Sequence, residues 1–199
     1  MHRVWTATGE AWSWDGPSVL ESLVEPDHAR MVADMSQGPR RGRLYLVWND
    51  AVDVLSPDQY EVFLQYSDDG GKTFTERLPV DTQRGGKLVA TEPVVLSDGT
   101  LLVTYYKYYF PMSAQKNDRW PFFLRRSTDG GRSFGPVETP FELGPNLWPD
   151  PAAPFGGFIL PIVVADSSSG DPHRTAGRPG RLDLLPAAGG PSATVAEIR

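Results

Sequence analysis

Ser67-Asp68-Asp69-Gly70-Gly71-Lys72-Thr73-Phe74 and Ser127-Thr128-Asp129-Gly130-Gly131-Arg132-Ser133-Phe134 are one octapeptide written twice, about 60 residues apart. Both fit S-x-D-G-G-x-S/T-F. Repetition at such a spacing marks an array of similar supersecondary units. Each copy reads as a tight turn between two strands. Asp69 and Asp129 are placed to accept backbone N–H groups that the turn leaves without partners. Gly71 and Gly131 supply a positive φ, which a residue with a Cβ resists. Ser67 and Ser127 can hydrogen-bond across the turn. Phe74 and Phe134 are expected to fold beneath it, each burial contributing about 2–3 kcal/mol. These side chains are therefore structural. Calcium is not expected there, because too few oxygen ligands have the spacing of a calcium loop.

Strands surround each copy in the same order. Arg43 to Trp48 and Tyr60 to Tyr66 are rich in aromatic and β-branched residues, and a short strand near Arg77 to Val80 follows the first octapeptide. Pro93 to Leu96, Thr100 to Tyr109 and Pro121 to Arg126 repeat the set before the second copy. Ser97-Asp98-Gly99-Thr100 between two such runs is a hairpin signal. No sustained helical period appears; Pro17 to Glu25 could hold a short helical turn. Gly9-Glu10-Ala11-Trp12 is a degenerate echo of Gly71 to Phe74, and Val32 to Gly38 resembles Val164 to Gly170. The expected order is the last strand of one unit, two full four-stranded units and the opening of another.

Composition narrows the function classes. Apolar residues make up 40 % and aromatics 11 %, which suits a packed core. Gly and Pro total 39 residues, 20 and 19 respectively, as short strands and turns require. The net charge of −6 and the absence of a Lys/Arg run argue against nucleic acid or an anionic membrane surface as partner. No apolar run is long enough for a membrane span. Cys is absent and the three His are scattered, so neither disulfide, metal cluster nor cofactor is expected. Met1 to Thr6 shows no charged and apolar leader, so no signal peptide is read. The compartment is not readable from the sequence: the chain as written would be cytoplasmic, and an extracellular or periplasmic place is open for a longer parent.

The octapeptides resemble the Asp-box, or BNR repeat, of the sialidase-like β-propeller family. The resemblance covers Trp5 to about Asp166. It implies an all-β fold of four-stranded antiparallel blades, each with its box between the third and fourth strands. Residues 1–166 would then form an incomplete array of about two to three blades. Residues 167–199, without aromatics and rich in Gly, Pro, Ala and Ser, are expected to be an irregular tail, in keeping with truncation or a frameshift. An open array would leave two blade faces bare, at a cost of roughly 10–25 kcal/mol, and so invite self-association.

The resemblance also implies where a site lies. In sialidases it is on the face opposite the boxes, built by loops that here carry Asp53, Asp58, Glu92, Asp118, Arg119, Trp120 and Trp148. Carboxylates, arginines and aromatics on one rim suit a sugar, with acids moving protons and rings stacking on it. The family mechanism uses a Tyr nucleophile, an Asp acid/base and arginines that clamp the substrate carboxylate. Tyr108 and Asp118 are the candidates for the first two roles. Thr91 occupies the first clamp position, two residues before Pro93, which leaves Arg30 as substitute. The expected function is a fragment of a sialidase-like glycoside hydrolase (exo-alpha-sialidase superfamily), inactive alone. The alternative is a non-catalytic Asp-box module that binds carbohydrate or protein.

Overall fold

The computed structural model describes residues 3–5, 11–13, 26–51, 60–82, 87–108, 120–143, 162–165 and 182–185. These hold strands and turns, with no helix among the described residues. Pro17 to Glu25 lies outside them.

The first four-stranded sheet runs β3 (Asp27–Ala33), β4 (Leu44–Ala51), β5 (Tyr60–Ser67) and β6 (Leu78–Asp81), each antiparallel to its neighbour. The second repeats this with β7 (Lys87–Val95), β8 (Leu101–Tyr108), β9 (Trp120–Ser127) and β10 (Glu138–Leu143). Two short antiparallel pairs flank them: β1 (Arg3–Trp5) with β2 (Ala11–Ser13), and β11 (Ile162–Ala165) with β12 (Leu182–Leu185). Residues 182–185 belong to the segment expected to be irregular. Leu182, Leu184 and Leu185 give this stretch enough strand character to pair with β11.

Matching registers make the two sheets copies. Leu44 faces Ser67 as Leu101 faces Ser127, and Val47 faces Leu64 as Thr104 faces Leu124. The first strand of each slips against its neighbour at the same level, between Asp27 and Arg30 and between Val89 and Glu92. Such bulges increase local twist and re-aim side chains. Arg30 and Glu92 are thereby equivalent positions on neighbouring strands. The Asp98-Gly99 hairpin forms as expected, with Gly99 at φ 84° and the Thr100 amide donating to Asp98 Oδ1 at 2.8 Å.

Strand alternation divides each sheet into two faces. Tyr45, Val47, Val62, Leu64 and Val80 of the first sheet pack against Leu88, Leu101, Val103, Tyr105 and Phe123 of the second. One polar bond crosses this core: the Tyr105 hydroxyl donates to Asp81 Oδ2. Burial, followed by the Asp81 carboxylate, pushes the Tyr105 hydroxyl far above the usual phenol range. On the first sheet, the counterparts of Val103, Tyr105 and Phe123 are Leu46, Trp48 and Phe63. They form their own cluster with Phe74 on the face turned away from the second sheet.

Neither outward face is bare, contrary to expectation. Leu46, Trp48 and Phe63 are 7 %, 3 % and 5 % exposed, and Leu102, Phe122 and Leu124 are 2 %, 0 % and 0 %. The penalty expected for open faces, and with it the ground for self-association through them, does not apply to these side chains. Among the described residues, the exposed large apolar side chains are Met31, in β3, and Met35, just after it.

Candidate functional site

The octapeptides form two near-identical turns at one end of the sheets. In the first, Asp69 Oδ1 accepts the amides of Lys72 and Thr73, each at 2.9 Å, and Asp69 Oδ2 accepts the Thr73 hydroxyl at 2.6 Å. In the second, Asp129 Oδ1 accepts the amides of Arg132 and Ser133 at 3.0 Å, and Oδ2 accepts the Ser133 hydroxyl at 2.5 Å. Ser67 and Ser127 each donate to their Asp at 2.8 Å and accept the amides of Gly71 and Gly131. The Thr73 hydroxyl and amide, then the Ser67 hydroxyl, hold Asp69 well below the usual carboxylate range. For Asp129, partial burial pushes upward, but the bonds from Ser133, Ser127 and Arg132 outweigh it and bring the carboxyl down to about 2. Oxygens occupied in this way are suited to holding a turn rather than to proton transfer. Phe74 and Phe134 are partly buried against their clusters.

The remaining candidates lie from the middle of the sheets to the other end. Arg30 and Glu92 meet about midway along the strands, opposite Val47 and Thr104, Arg30 Nε lying 3.4 Å from Glu92 Oε2. Burial pushes the Glu92 carboxyl above its ordinary range, and Arg30 opposes this. The expected clamp position, Thr91, is 1 % exposed, and its hydroxyl donates to the His28 carbonyl at 2.9 Å. Thr91 thus ties β7 to β3. His28 is the one non-glycine residue with positive φ among the described residues, at 50°. Its amide donates to Asp27 Oδ1 at 2.8 Å, and its Nδ1 lies 2.9 Å from Asp27 Oδ2. A bulged residue in the left-handed region stores local strain, here beside the Arg30–Glu92 pair.

Tyr108 closes β8 and Trp120 opens β9 at that other end, Tyr108 opposite Lys87 and Trp120 opposite Leu143. Asp53, Asp58, Asp118, Arg119 and Trp148 lie outside the described residues. Of the expected site residues, the structure therefore brings together Arg30 and Glu92.

A groove of about 440 Å³ runs along the edge strands β3 and β7, closed on one side by Val163 of β11. Met31, Val32, Pro93 and Val94 give it apolar walls, and among the described residues Glu92 is its one charged lining residue. Sequence reading marked Glu92 but not the groove. Its walls come from strands far apart in the chain, and Met31 shows no pattern that separates it from core.

Arg43 was also missed. It donates from Nε and Nη2 to Asp68 Oδ1 and Oδ2 at 2.6 and 2.7 Å. Its Nη1 reaches the Gly130 carbonyl at 2.9 Å, and its guanidinium lies 4.0 Å from the Tyr66 ring centroid. It joins the two octapeptide turns. A basic residue at a strand start gives no sequence signal for such a role.

No family model matches the chain, and no curated protein matches it. A crystallised protein of unknown function from Dyadobacter fermentans is similar over 83 % of this chain, with 16 % identity and a TM-score of 0.45. This chain spans about half of that protein's length, 52 %. No helix among the described residues is long and apolar enough to cross a membrane.

Proposed function

We propose that the two four-stranded sheets are consecutive blades of a sialidase-like Asp-box β-propeller, and that the end opposite the boxes binds carbohydrate. The observation that carries this reading is that equivalent faces of the two sheets are both buried. The face of the second sheet built on Tyr105 and Phe123 packs on the first sheet, and the equivalent face of the first, built on Trp48 and Phe63, is buried on its far side. A head-to-tail contact repeated with a rotation that closes gives a ring.

In the hydrolytic form of this reading, the chain is part of a glycoside hydrolase. Tyr108 serves as nucleophile, Asp118 as acid/base and Arg30 as substrate ligand, with Asp53, Asp58, Arg119, Trp120 and Trp148 on the rim. Turnover by this chain alone is not expected, because such a centre draws on more blades than two.

The Arg30–Glu92 pair favours a second form, binding without turnover. An arginine engaged by the protein's own carboxylate is poorly placed to clamp a substrate carboxylate. Two assays, run on a protein that holds the whole ring, separate the forms: fluorophore release from an aryl sialoside, and retention on immobilised glycan. Release that disappears in Tyr108→Phe supports hydrolysis. Retention without release supports binding alone. The absence of both contradicts the carbohydrate reading.

A further inference from the structure

We infer that Thr91 is a positioning residue: its hydroxyl joins the bulge of β7 to the bulge of β3 and thereby aims Arg30 at Glu92. The inference rests on the reading of Arg30 and Glu92 as site residues, and is independent of what binds there.

The registers place both partners of the Thr91–His28 bond inside bulges. From Asp27 to Arg30, β3 takes one residue more than β4 takes from Asn49 to Val47. From Val89 to Glu92, β7 takes one residue more than β8 takes from Tyr106 to Thr104. His28 lies in the first bulge and Thr91 in the second. An extra residue decides which face the following side chains occupy, because side chains alternate along a strand. Arg30 and Glu92 are the first residues back in register after their bulges, so their directions follow from the conformation that each bulge holds.

That conformation has few supports. β3 and β7 belong to different sheets and pair with β4 and β8 respectively, so no ladder sets their relative position. Among the described residues, the Thr91–His28 bond and the Arg30–Glu92 contact are the polar links between them. His28 sits at φ 50°, a conformation that persists in a residue with a Cβ only where its surroundings over-determine it. Asp27 engages the His28 amide and imidazole, but Asp27 is half exposed and water competes for its oxygens. Thr91 is buried, and its hydroxyl holds the His28 carbonyl at 2.9 Å. On the other side the Thr104 hydroxyl reaches the Glu92 carbonyl at 3.3 Å, which fixes the backbone that presents Glu92.

The test follows the Glu92 carboxyl carbon by NMR during acid titration of the full chain. Burial pushes this carboxyl up and Arg30 holds it down. Arg30 is the charged group that faces it from β3, with Asp27 and His28 beyond on the same strand; Thr104 of β8 and Val163 of β11 are uncharged. Arg30→Gln therefore marks the higher midpoint that Glu92 reaches without its partner. Thr91→Val removes the donor and keeps the shape, and Thr91→Ala removes it with less bulk. Both should move the midpoint up, towards that of Arg30→Gln, and Thr91→Ser should return it to the parent's. Added to Arg30→Gln, Thr91→Val should shift it no further. A threonine that served stability alone would lower the Tm and leave the midpoint in place. A parental midpoint in either donor-free variant, folded by its amide spectrum, overturns the inference. The readout needs no ligand, so this inference and the carbohydrate reading can each fall while the other stands.

Discussion

Arg43 donates to the carbonyl oxygen of Gly130 at 2.9 Å, so a side chain that anchors the turn of one sheet also holds the turn of the next. Arg43 is 7 % exposed and Asp68 is 59 % exposed. Despite its burial, the bonds to Asp68 keep the guanidinium firmly charged. Arg43→Ala should destabilise the chain by about 2–3 kcal/mol, since it removes two charge-assisted bonds, a carbonyl bond and a ring contact together. Arg43→Lys should recover less than half, because an ammonium lacks the planar fork. Denaturant unfolding measures both; a loss below about 0.5 kcal/mol for Arg43→Ala would place it among ordinary surface substitutions.

Glycine at the second box is required by space as well as by φ. Gly131 has φ 87°, and a Cβ there would lie 3.0 Å from Leu64 of the first sheet. Gly70 has φ 76° with open space around it. Gly70→Ala should cost about 1 kcal/mol, the left-handed penalty alone, and Gly131→Ala about 2 kcal/mol or more, since it also disturbs the sheet–sheet contact. Equal losses would contradict the close approach.

The box carboxylates give acid sensitivity of a defined sign. Asp129 titrates near 2 in the folded chain, below its ordinary value of 3.8. A depressed folded value means that the contribution is present above about pH 4 and is lost as pH falls towards 2. Asp69 behaves alike, with its loss extending lower. Asp129→Asn should lower the Tm at pH 7, and the gap from the parent should narrow between pH 4 and pH 2. A gap independent of pH would mean that the charge contributes nothing.

Tyr105 should act in the opposite direction. Its hydroxyl is raised above the ordinary value of 10.0 by burial and then by Asp81. The contribution is therefore present below about pH 10 and lost as pH rises beyond it. Tyr105→Phe leaves Asp81 without this donor and should cost about 1–3 kcal/mol at pH 7, with less extra loss than the parent on moving to pH 11. Alkaline denaturation curves with identical slopes would rule this out.

The local fold was legible in the chain because the boxes carry their own chemistry. Ser, Asp and Gly at fixed offsets determine a turn, and the aromatic runs on either side determine strands. The equivalence of Arg30 and Glu92 was not legible, since it depends on two bulges that shift β3 and β7 each against its neighbour. The Tyr105–Asp81 bond and the Arg43 joint were hidden for a related reason: each links residues from different repeat units, and periodicity within a unit says nothing about them. The bare-face expectation failed because Trp48, Phe63, Phe122 and Leu124 are all covered. For the site, Arg30 and Glu92 could be named from the sequence, but their meeting as one ion pair beside one groove could not.

Backbone amide shifts on titration with a neutral disaccharide test the account most directly, because they locate the ligand as well as detect it. Perturbations are expected at His28 to Met31 and at Thr91, Glu92 and Val94, with residues 67–74 and 127–134 unmoved. Shifts concentrated in the two box turns, or none at saturating sugar, would contradict a carbohydrate site at the opposite end of the sheets.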